Sequence, residues 1–301
     1  MAILKDVVDV DAPEGLPLPL GRRVELPGRG TTFVREVEGP PGAPTLLLLH
    51  GWIASSGVNW YQIFQPASRR YRVLAPDMRG HGRGMRTNKR FRLADCADDA
   101  AALLDQLGIE SAIVVGYSLG GPVAQLMWRR HRSRVDALVL CSTSHTFVHG
   151  RRDRFVFTSV MASMAGTTRL GGLASHLPTA MAKQMMPVRQ KGRPDSLQRW
   201  AAAEMRRHDL RLVLEAGQAL GHYNASKWIG EVDVPTAVVV TTRDRAVTPE
   251  QQAKLAFAIP HASIHRIDDG HVVCASPTFA PPLMEAIDTV ALEAYPRLRR
   301  I

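Results

Sequence analysis

A chain of 301 residues, 45% hydrophobic and 22% charged, has the length and composition of a soluble globular protein with one large domain, or one domain with an insertion. No apolar run approaches the roughly 18 residues needed to cross a bilayer, which excludes a transmembrane segment. The formal net charge is +10, yet no aromatic-interleaved basic stripe, helix-turn-helix or finger pattern accompanies it, so a nucleic-acid partner is not expected.

The N-terminal stretch MAILKDVVDVDAPEGLPLPL carries acidic residues and lacks the basic start and long apolar centre of a secretory signal. Cys96, Cys141 and Cys274 are an odd number without the short spacing of metal ligands, which argues against a disulfide framework and against a zinc site. The sequence therefore predicts an intracellular, cytoplasmic protein whose cysteines are packing residues. A contact with a working site stays open for Cys274 alone, because it lies close to a histidine discussed below.

Short apolar runs dominate most of the chain. Residues 22–39, RRVELPGRGTTFVREVEG, predict an antiparallel hairpin at a sheet edge. LADCADDAAALLDQLG, residues 93–108, predicts a helix that stops near Gly108. Six continuous rather than alternating runs are typical of strands buried on both faces: TLLLLH (45–50), YRVLAP (71–76), AIVVGYS (112–118), ALVLCST (137–143), TAVVVTT (236–242) and ASIHRID (262–268). This pattern predicts an α/β fold with a mostly parallel central sheet of about eight strands and helices on both faces.

The strand rhythm stops after Ser144 and resumes at Pro235, and the sequence between them has helical spacing. We interpret residues 147–227 as a helical lid, residues 22–146 and 228–301 as the core, and residues 1–21 as an N-terminal extension. Methionines in the insertion are either core or a surface for varied apolar groups: Met161, Met164, Met181, Met185, Met186 and Met205.

Positive charge is concentrated in the predicted lid. Residues 147–227 hold 13 Lys and Arg against 5 Asp and Glu, a net +8, whereas the rest of the chain has 25 against 23. Such a region can attract an anionic substrate or an acidic carrier, or it can be a solvated, arginine-rich face. Both interpretations stay open.

The stretch VVGYSLGG, residues 114–121, brings a buried strand directly to a serine with a glycine two places away on each side. A sharp strand-to-helix turn forces its tip into a strained backbone conformation and requires small neighbours, which Gly116 and Gly120 supply. Ser118 would then stand at the carboxyl end of the sheet beside a helix N-terminus, where developing negative charge is favoured. The pattern predicts a nucleophilic serine.

A serine hydroxyl needs a histidine base and a group that orients the histidine. Asp244 follows the strand TAVVVTT and His271 follows the last strand, so both belong to the sheet edge where Ser118 lies. Asp268 and Asp269 are rival acids, but they are very near His271 in sequence. Asp244 is therefore the predicted orienting carboxylate.

The chain resembles the α/β-hydrolase superfamily, serine-nucleophile branch with a helical lid, over about residues 22–292. LLLLHGW, PDMRGHGRG and GYSLGG are similar to three of its motifs. The resemblance implies Ser118 as nucleophile, His271 as base and acid, and Asp244 as the orienting carboxylate. It also implies an oxyanion hole made by the backbone N–H groups of Trp52 and Leu119. No cofactor and no metal are implied.

The expected function is hydrolysis of a carboxylic ester or related acyl bond through an acyl-serine intermediate. The expected partner is a small-molecule acyl ester with an apolar acyl group. Serine at the elbow argues against the epoxide hydrolase and dehalogenase branches, which need aspartate. Other activities that use the same triad stay open: a cofactor-free perhydrolase or haloperoxidase-like activity, a thioesterase, an acyltransferase and a carbon–carbon bond hydrolase. A slow-turnover ligand-binding sensor with this fold is a further alternative.

The other histidines and two tryptophans near the predicted site receive simpler interpretations. His50 and His81 are expected to order loops, because their segments have that role in the family. His145 and His149 lie where the lid begins, either at the surface or facing the pocket. The rings of Trp52 and Trp60 are either walls of an acyl pocket or packing residues.

Overall fold

The computed structural model describes residues 6–7, 12–13, 15–16, 18–148, 150, 155–156, 158–163, 165 and 196–297. In these ranges the chain forms one nine-stranded sheet with helices on both faces, in the order β1-β2-β3-β5-β4-β6-β7-β8-β9. The strands are β1 (Asp6–Val7), β2 (Gly21–Leu26), β3 (Gly30–Val37), β4 (Thr45–Leu49), β5 (Arg72–Pro76), β6 (Ala112–Tyr117), β7 (Val135–Cys141), β8 (Thr236–Thr241) and β9 (Ser263–Ile267).

The sheet is parallel from β5 to β9 in spatial order, and β1, β2 and β3 pair antiparallel at one edge. The predicted α/β class, the mostly parallel sheet and its edge hairpin are confirmed. The ninth strand, β1, lies inside the predicted N-terminal extension and pairs with Gly21 and Arg22. A two-residue strand carries too little sequence for an alternating or continuous apolar pattern, so no such pattern indicated it.

The central strands are buried on both faces, as continuous apolar runs require. All six residues of β6 are buried, and its side chains divide between two apolar clusters on opposite sides of the sheet. Val114 packs into one cluster with Leu104 and Trp128, whereas Val115 packs into the other with Trp60. The strand that leads to Ser118 is therefore held from both sides.

Eight α-helices are defined in the described residues: α1 (Ser56–Trp60), α2 (Phe64–Ser68), α3 (Leu93–Gln106), α4 (Gly120–Arg130), α5 (Leu197–Met205), α6 (Leu210–His222), α7 (Pro249–Ala258) and α8 (Ala280–Ala294). The predicted helix over 93–108 corresponds to α3, and Gly108, just beyond it, has φ +65°, which glycine adopts without strain. In the described ranges, no helix has the length and apolarity that crossing a bilayer demands.

Helices α5 and α6 lie between β7 and β8, inside the segment 147–227, which we call the insertion. Ser196 and Asp209 cap them, each accepting a hydrogen bond from a backbone N–H in the first turn. Their helical character matches the pattern in the sequence, while the role of the insertion as a lid stays a prediction. Five of the residues singled out in the sequence of the insertion lie outside the described residues: Met164, Met181, Met185, Met186 and His149.

Candidate active site

Ser118 lies in the turn between β6 and α4 with φ +50°, a conformation that side-chain-bearing residues rarely adopt. The flanking glycines have a steric reason. A Cβ on Gly116 would lie 2.5 Å from the carbonyl oxygen of Gly120, and a Cβ on Gly120 would lie 2.1 Å from that of Leu49. The GYSLG spacing is therefore what lets strand and helix approach closely enough to form this turn.

The structure brings the three predicted residues into one hydrogen-bonded chain. Ser118 Oγ lies 3.0 Å from His271 Nε2, and His271 Nδ1 lies 2.7 Å from Asp244 Oδ2. Asp244 follows β8 and His271 follows β9, so neighbouring parallel strands deliver them to the same edge. Such an arrangement can accept the proton of a serine hydroxyl and hold the resulting imidazolium.

Asp244 is buried and densely hydrogen bonded. Burial by itself would raise its pKa, but the hydrogen bond and charge of His271 and two backbone N–H groups leave that pKa below its usual value. The carboxylate therefore stays ionised at neutral pH. Its oxygens accept further hydrogen bonds over 2.8–3.2 Å from the N–H groups of Ala246 and Val247 and from the side chains of Thr241 and Gln252.

The rival acids have other partners. Asp268 is exposed and accepts a 2.9 Å hydrogen bond from the hydroxyl of Thr242, besides its ion pair with Arg243. Asp269 accepts a 3.1 Å hydrogen bond from the hydroxyl of Thr278. Of these acids, Asp244 is the one hydrogen bonded to His271 in the described part of the chain.

The two amides predicted to form the oxyanion hole lie in the turns after β4 and β6. Leu119 directly follows Ser118, and Trp52 follows Gly51, where a Cβ would lie 3.5 Å from Ser118 Cβ. Neither N–H donates a hydrogen bond to another described residue. Both are thus available to an oxygen beside Ser118.

His50 fixes the peptide that carries the Trp52 N–H, and Asn59 fixes the peptide before it. His50 Nδ1 donates to the carbonyl oxygen of Gly51 at 2.8 Å, while its Nε2 accepts from the N–H of Met78 at 2.9 Å. Asn59 Oδ1 accepts from the N–H of Gly51 at 2.8 Å. Because C=O and N–H point in opposite directions across a trans peptide, this arrangement directs the N–H of Trp52 away from His50. The expectation that His50 orders a loop agrees with these contacts.

His81 and His208 continue from His50 as a row of neighbouring rings, tilted to one another by 58° and 61°. The ring centroids lie 5.4 Å apart in both neighbouring pairs. His81 Nδ1 donates to the carbonyl of Arg79 at 2.9 Å, and His208 Nδ1 accepts from the N–H of Gly82 at 2.7 Å. Burial lowers the pKa of His81 well below its usual value and that of His208 to about 4. The row is therefore neutral at pH 7.

Sequence reasoning missed several residues that support the site. The hydroxyl of Tyr117 donates to the backbone carbonyl of His271, and its position directly before the serine was the available signal. Asp77 accepts hydrogen bonds from the N–H groups of Ser56 and Arg83 at 2.7 and 2.8 Å. The available signal was its position as the first charged residue of the PDMRGHGRG motif. Asn59 and His208 lie in no motif that could have indicated their role.

The surroundings of the two tryptophans and of Cys274 distinguish packing residues from residues near the site. Trp60 is fully buried and stacks on Phe279, so it is a packing residue beneath the site. Trp52 lies with its ring against Gly217 of α6. Cys274 is buried, and burial raises its pKa to about 11, which keeps the thiol protonated. His145 is partly buried.

A family model described as the alpha/beta hydrolase fold matches residues 44–276. The AB hydrolase superfamily protein YisY of Bacillus subtilis (strain 168) is 28% identical over 256 residues, covering 78% of this chain and 85% of that protein. The magnesium-chelatase 30 kDa subunit of Rhodobacter capsulatus is 28% identical over 246 residues, covering 78% and 83%.

Among solved structures, the enol-lactonase from Burkholderia xenovorans LB400 has a TM-score of 0.69 at 21% identity, covering 89% of this chain and 99% of that chain. This likeness concerns the fold. The family match extends from before β4 to beyond His271 and includes all the strands that carry the candidate site. The chain therefore belongs to the alpha/beta hydrolase fold family, and this membership supports a hydrolase activity.

Proposed function

We propose that the protein hydrolyses a carboxylic ester, or a related acyl bond, through an acyl-serine intermediate on Ser118. The observation that carries this proposal is the hydrogen-bonded chain from Ser118 through His271 to Asp244, at 3.0 and 2.7 Å. The similarity to an enol-lactonase supports it, because a lactone is a cyclic ester.

The reaction would proceed in two halves. His271 Nε2 takes the proton of Ser118 as Oγ attacks the carbonyl carbon, and the N–H groups of Trp52 and Leu119 hold the oxyanion. The tetrahedral intermediate collapses, the C–O bond to the alcohol breaks, and His271 returns the proton to the leaving oxygen. A water molecule then attacks the acyl-serine, giving its proton to His271, and the carboxylic acid leaves as Ser118 recovers its hydrogen.

The rim of the site favours an apolar group in the substrate. Ile53, which follows Trp52, is 42% exposed, and Val272, which follows His271, is 70% exposed. Because each directly follows a residue of the proposed site, an apolar part of an ester bound at Ser118 would lie near them. The proposed substrate is thus an ester with an apolar acyl or alcohol part.

A second candidate is a binding or subunit role without rapid turnover. The similarity to the magnesium-chelatase 30 kDa subunit, a protein named for its place in an assembly, is the observation that favours it. An ionised, buried Asp244 hydrogen bonded to His271 weighs toward catalysis, because a binding protein has no need of such a pair.

The test combines labelling with turnover. A fluorophosphonate should label Ser118 and no other serine, because only an activated hydroxyl reacts quickly. With p-nitrophenyl esters, Ser118→Ala should lower kcat by roughly three to six powers of ten. Ser226→Ala, which removes an exposed serine hydroxyl, is the matched control and should behave as wild type.

Two outcomes would contradict the proposal. A folded Ser118→Ala protein that keeps more than about a tenth of wild-type turnover would exclude Ser118 as nucleophile. A stoichiometric burst of nitrophenol followed by no turnover on any ester would favour the binding role instead.

A further inference from the structure

We propose that helix α6 positions the oxyanion-hole amide of Trp52 through the indole of the same residue, so that the hole is complete only when α6 is docked on the core. This inference rests on the proposed function. Val213 and Gly217 are then positioning residues, because they contact Trp52 and not the reacting atoms.

The first observation is a hydrogen bond between distant parts of the chain. Trp52 Nε1 donates to the carbonyl oxygen of Val213 at 2.8 Å, across a sequence separation of 161 residues. Trp52 follows the central strand β4, whereas Val213 lies in the first turn of α6, in the insertion. One residue therefore presents its backbone to Ser118 and its side chain to the insertion.

The second observation is the glycine inside α6. Gly217 is in the middle of the helix, where glycine costs about 1 kcal/mol relative to alanine. A Cβ at this position would lie 2.6 and 2.9 Å from two atoms of the Trp52 ring. The glycine makes room for the indole to lie against the helix, close enough for its N–H to reach Val213.

The third observation is strain beside the amide. Ile53 has φ +56°, which is a genuine outlier for a β-branched residue and costs on the order of 1–3 kcal/mol. The turn after β4 is therefore not the conformation that its own sequence prefers. Its surroundings must hold it, and they do so from the core through His50 and Asn59 and from the insertion through α6.

Helix α6 itself has a defined position on the core. We call residues 77–92, between β5 and α3, the 77–92 loop. The N–H of Asp209, the capping residue of α6, donates to the carbonyl of Gly80 at 2.8 Å. The carboxylate of Glu215 accepts from the N–H of Phe91 at 2.8 Å. Asp209 and Glu215 lie on either side of Val213 in the sequence, and both are hydrogen bonded to the 77–92 loop. The carbonyl of Val213 therefore has a fixed position relative to Trp52.

The docking of α6 on the core is therefore coupled to stabilisation of the transition state by the Trp52 N–H. When α6 shifts, the strained turn loses one of its restraints and relaxes, and the Trp52 N–H turns away from the oxyanion. Ground-state binding of the ester depends little on this amide, while the charged intermediate depends on it strongly.

The test uses variants that keep the amide but change its restraint. Trp52→Phe retains the backbone N–H and an aromatic ring and removes the indole donor, and Gly217→Ala displaces the ring. Each should lower kcat for a p-nitrophenyl ester by about 5- to 100-fold with KM changed little, since complete loss of an oxyanion donor costs about 100- to 1000-fold. Leu210→Ala, an exposed position of the same helix, is the control and should leave kcat unchanged.

Inhibitor binding provides a readout that loss of packing alone would not move. A trifluoromethyl ketone forms an oxyanionic hemiketal with Ser118, so its affinity should fall by the same factor as kcat. The corresponding methyl ketone, which stays a neutral ketone, should bind both variants as it binds the wild type.

Strain relief offers a rescue. Asparagine tolerates positive φ better than isoleucine, so in the Ile53→Asn background the loss of kcat caused by Trp52→Phe should be smaller than in the wild type. Folded Trp52→Phe and Gly217→Ala proteins with wild-type kcat and trifluoromethyl ketone affinity would overturn the inference. A wild-type protein in which Ser118 is unreactive would instead overturn the proposed function, so the two failures are distinct.

Discussion

Tyr117, the last residue of β6, donates its hydroxyl hydrogen bond to the backbone carbonyl of His271. The residue directly before the proposed nucleophile therefore holds the loop that carries the proposed base. The separation between Ser118 Oγ and His271 Nε2 depends on this contact as well as on Asp244, because Tyr117 holds the backbone of His271 and Asp244 holds its ring.

Removal of that hydroxyl should loosen the base without disturbing the core. Tyr117→Phe keeps the ring that packs on Trp60 and Phe279 and removes the hydroxyl that donates to His271. We expect kcat to fall by roughly tenfold, since small displacements of a reacting group are costly. Tyr295→Phe removes a hydroxyl bonded to Asp136 instead and should leave kcat unchanged. Steady-state kinetics of both variants would decide, and equal kcat values would contradict the expectation.

The acid assignment is testable by comparing two aspartates. Asp244→Asn removes the charge that orients His271 and stabilises its protonated form, so kcat should fall by up to about 10⁴-fold. Asp268→Asn changes an exposed carboxylate three residues from His271 and should have little effect. The measurement is kcat at neutral pH for both folded variants. A large loss on Asp268→Asn with little on Asp244→Asn would reverse the assignment.

Acid should weaken the folded state through the histidine row. An unfolded histidine binds its proton near pH 6.5, whereas burial and the neighbouring His50 lower the pKa of folded His208 to about 4. Between these values the unfolded state binds more protons, so stability falls as the pH falls from about 6.5 to 4, by up to about 1.4 kcal/mol per pH unit for each such group. The nearby charges oppose each other, since Asp77 raises this pKa and Arg86 lowers it.

Urea unfolding between pH 4 and 8 would measure this dependence. His208→Asn keeps an acceptor for the N–H of Gly82 and cannot take up a proton, so its stability should depend less steeply on pH than that of the wild type. His222→Asn, at an exposed histidine, is the control and should retain the wild-type slope. If stability depends equally steeply on pH in the wild type and in His208→Asn, His208 does not contribute to the pH dependence.

The positive charge of the insertion can be tested at one described arginine. Arg207 is paired with the buried carboxylate of Glu204, so changing it would disturb packing, whereas Arg206 is exposed. If the insertion attracts anionic substrates, kcat/KM for an anionic ester should fall as salt shortens the Debye length from about 30 Å at 0.01 M to about 10 Å at 0.1 M. Arg206→Glu should reduce that salt dependence. A neutral ester of similar size is the control, and equal salt slopes for the two esters would show no electrostatic capture.

The parts of the molecule that the sequence predicted have local signals. The central strands β4 to β8 are continuous apolar runs, and the turn at Ser118 is specified by two glycines whose Cβ atoms would collide with backbone. The prediction of burial on both faces was wrong for ASIHRID, because β9 is an edge strand with alternating exposure. Asp244 could be predicted over Asp268 because it follows a different strand at the same sheet edge, whereas Asp268 is very near His271 in sequence. Each of these inferences needs only a few consecutive residues and the geometry of a parallel sheet.

The features that the sequence did not predict depend on contacts between distant segments. A single hydrogen bond from the Trp52 indole to the Val213 carbonyl imposes no periodicity on either segment, and the acceptor is a backbone atom that any residue has. His208 joins the row of histidine rings because α5 ends and α6 begins beside the loop that carries His81. No spacing in the sequence encodes that meeting.

The attachment of the insertion to the 77–92 loop limits how the protein can be recombined with its relatives. Arg83 of the loop pairs with the buried carboxylate of Glu204, and Gly82 donates to His208. A chimera that exchanged only residues 147–227 would leave Arg83 facing a foreign helix and would strand a buried charge, which costs about 3–5 kcal/mol. The functional unit of exchange is the insertion together with the 77–92 loop, so the two segments are expected to diverge in step.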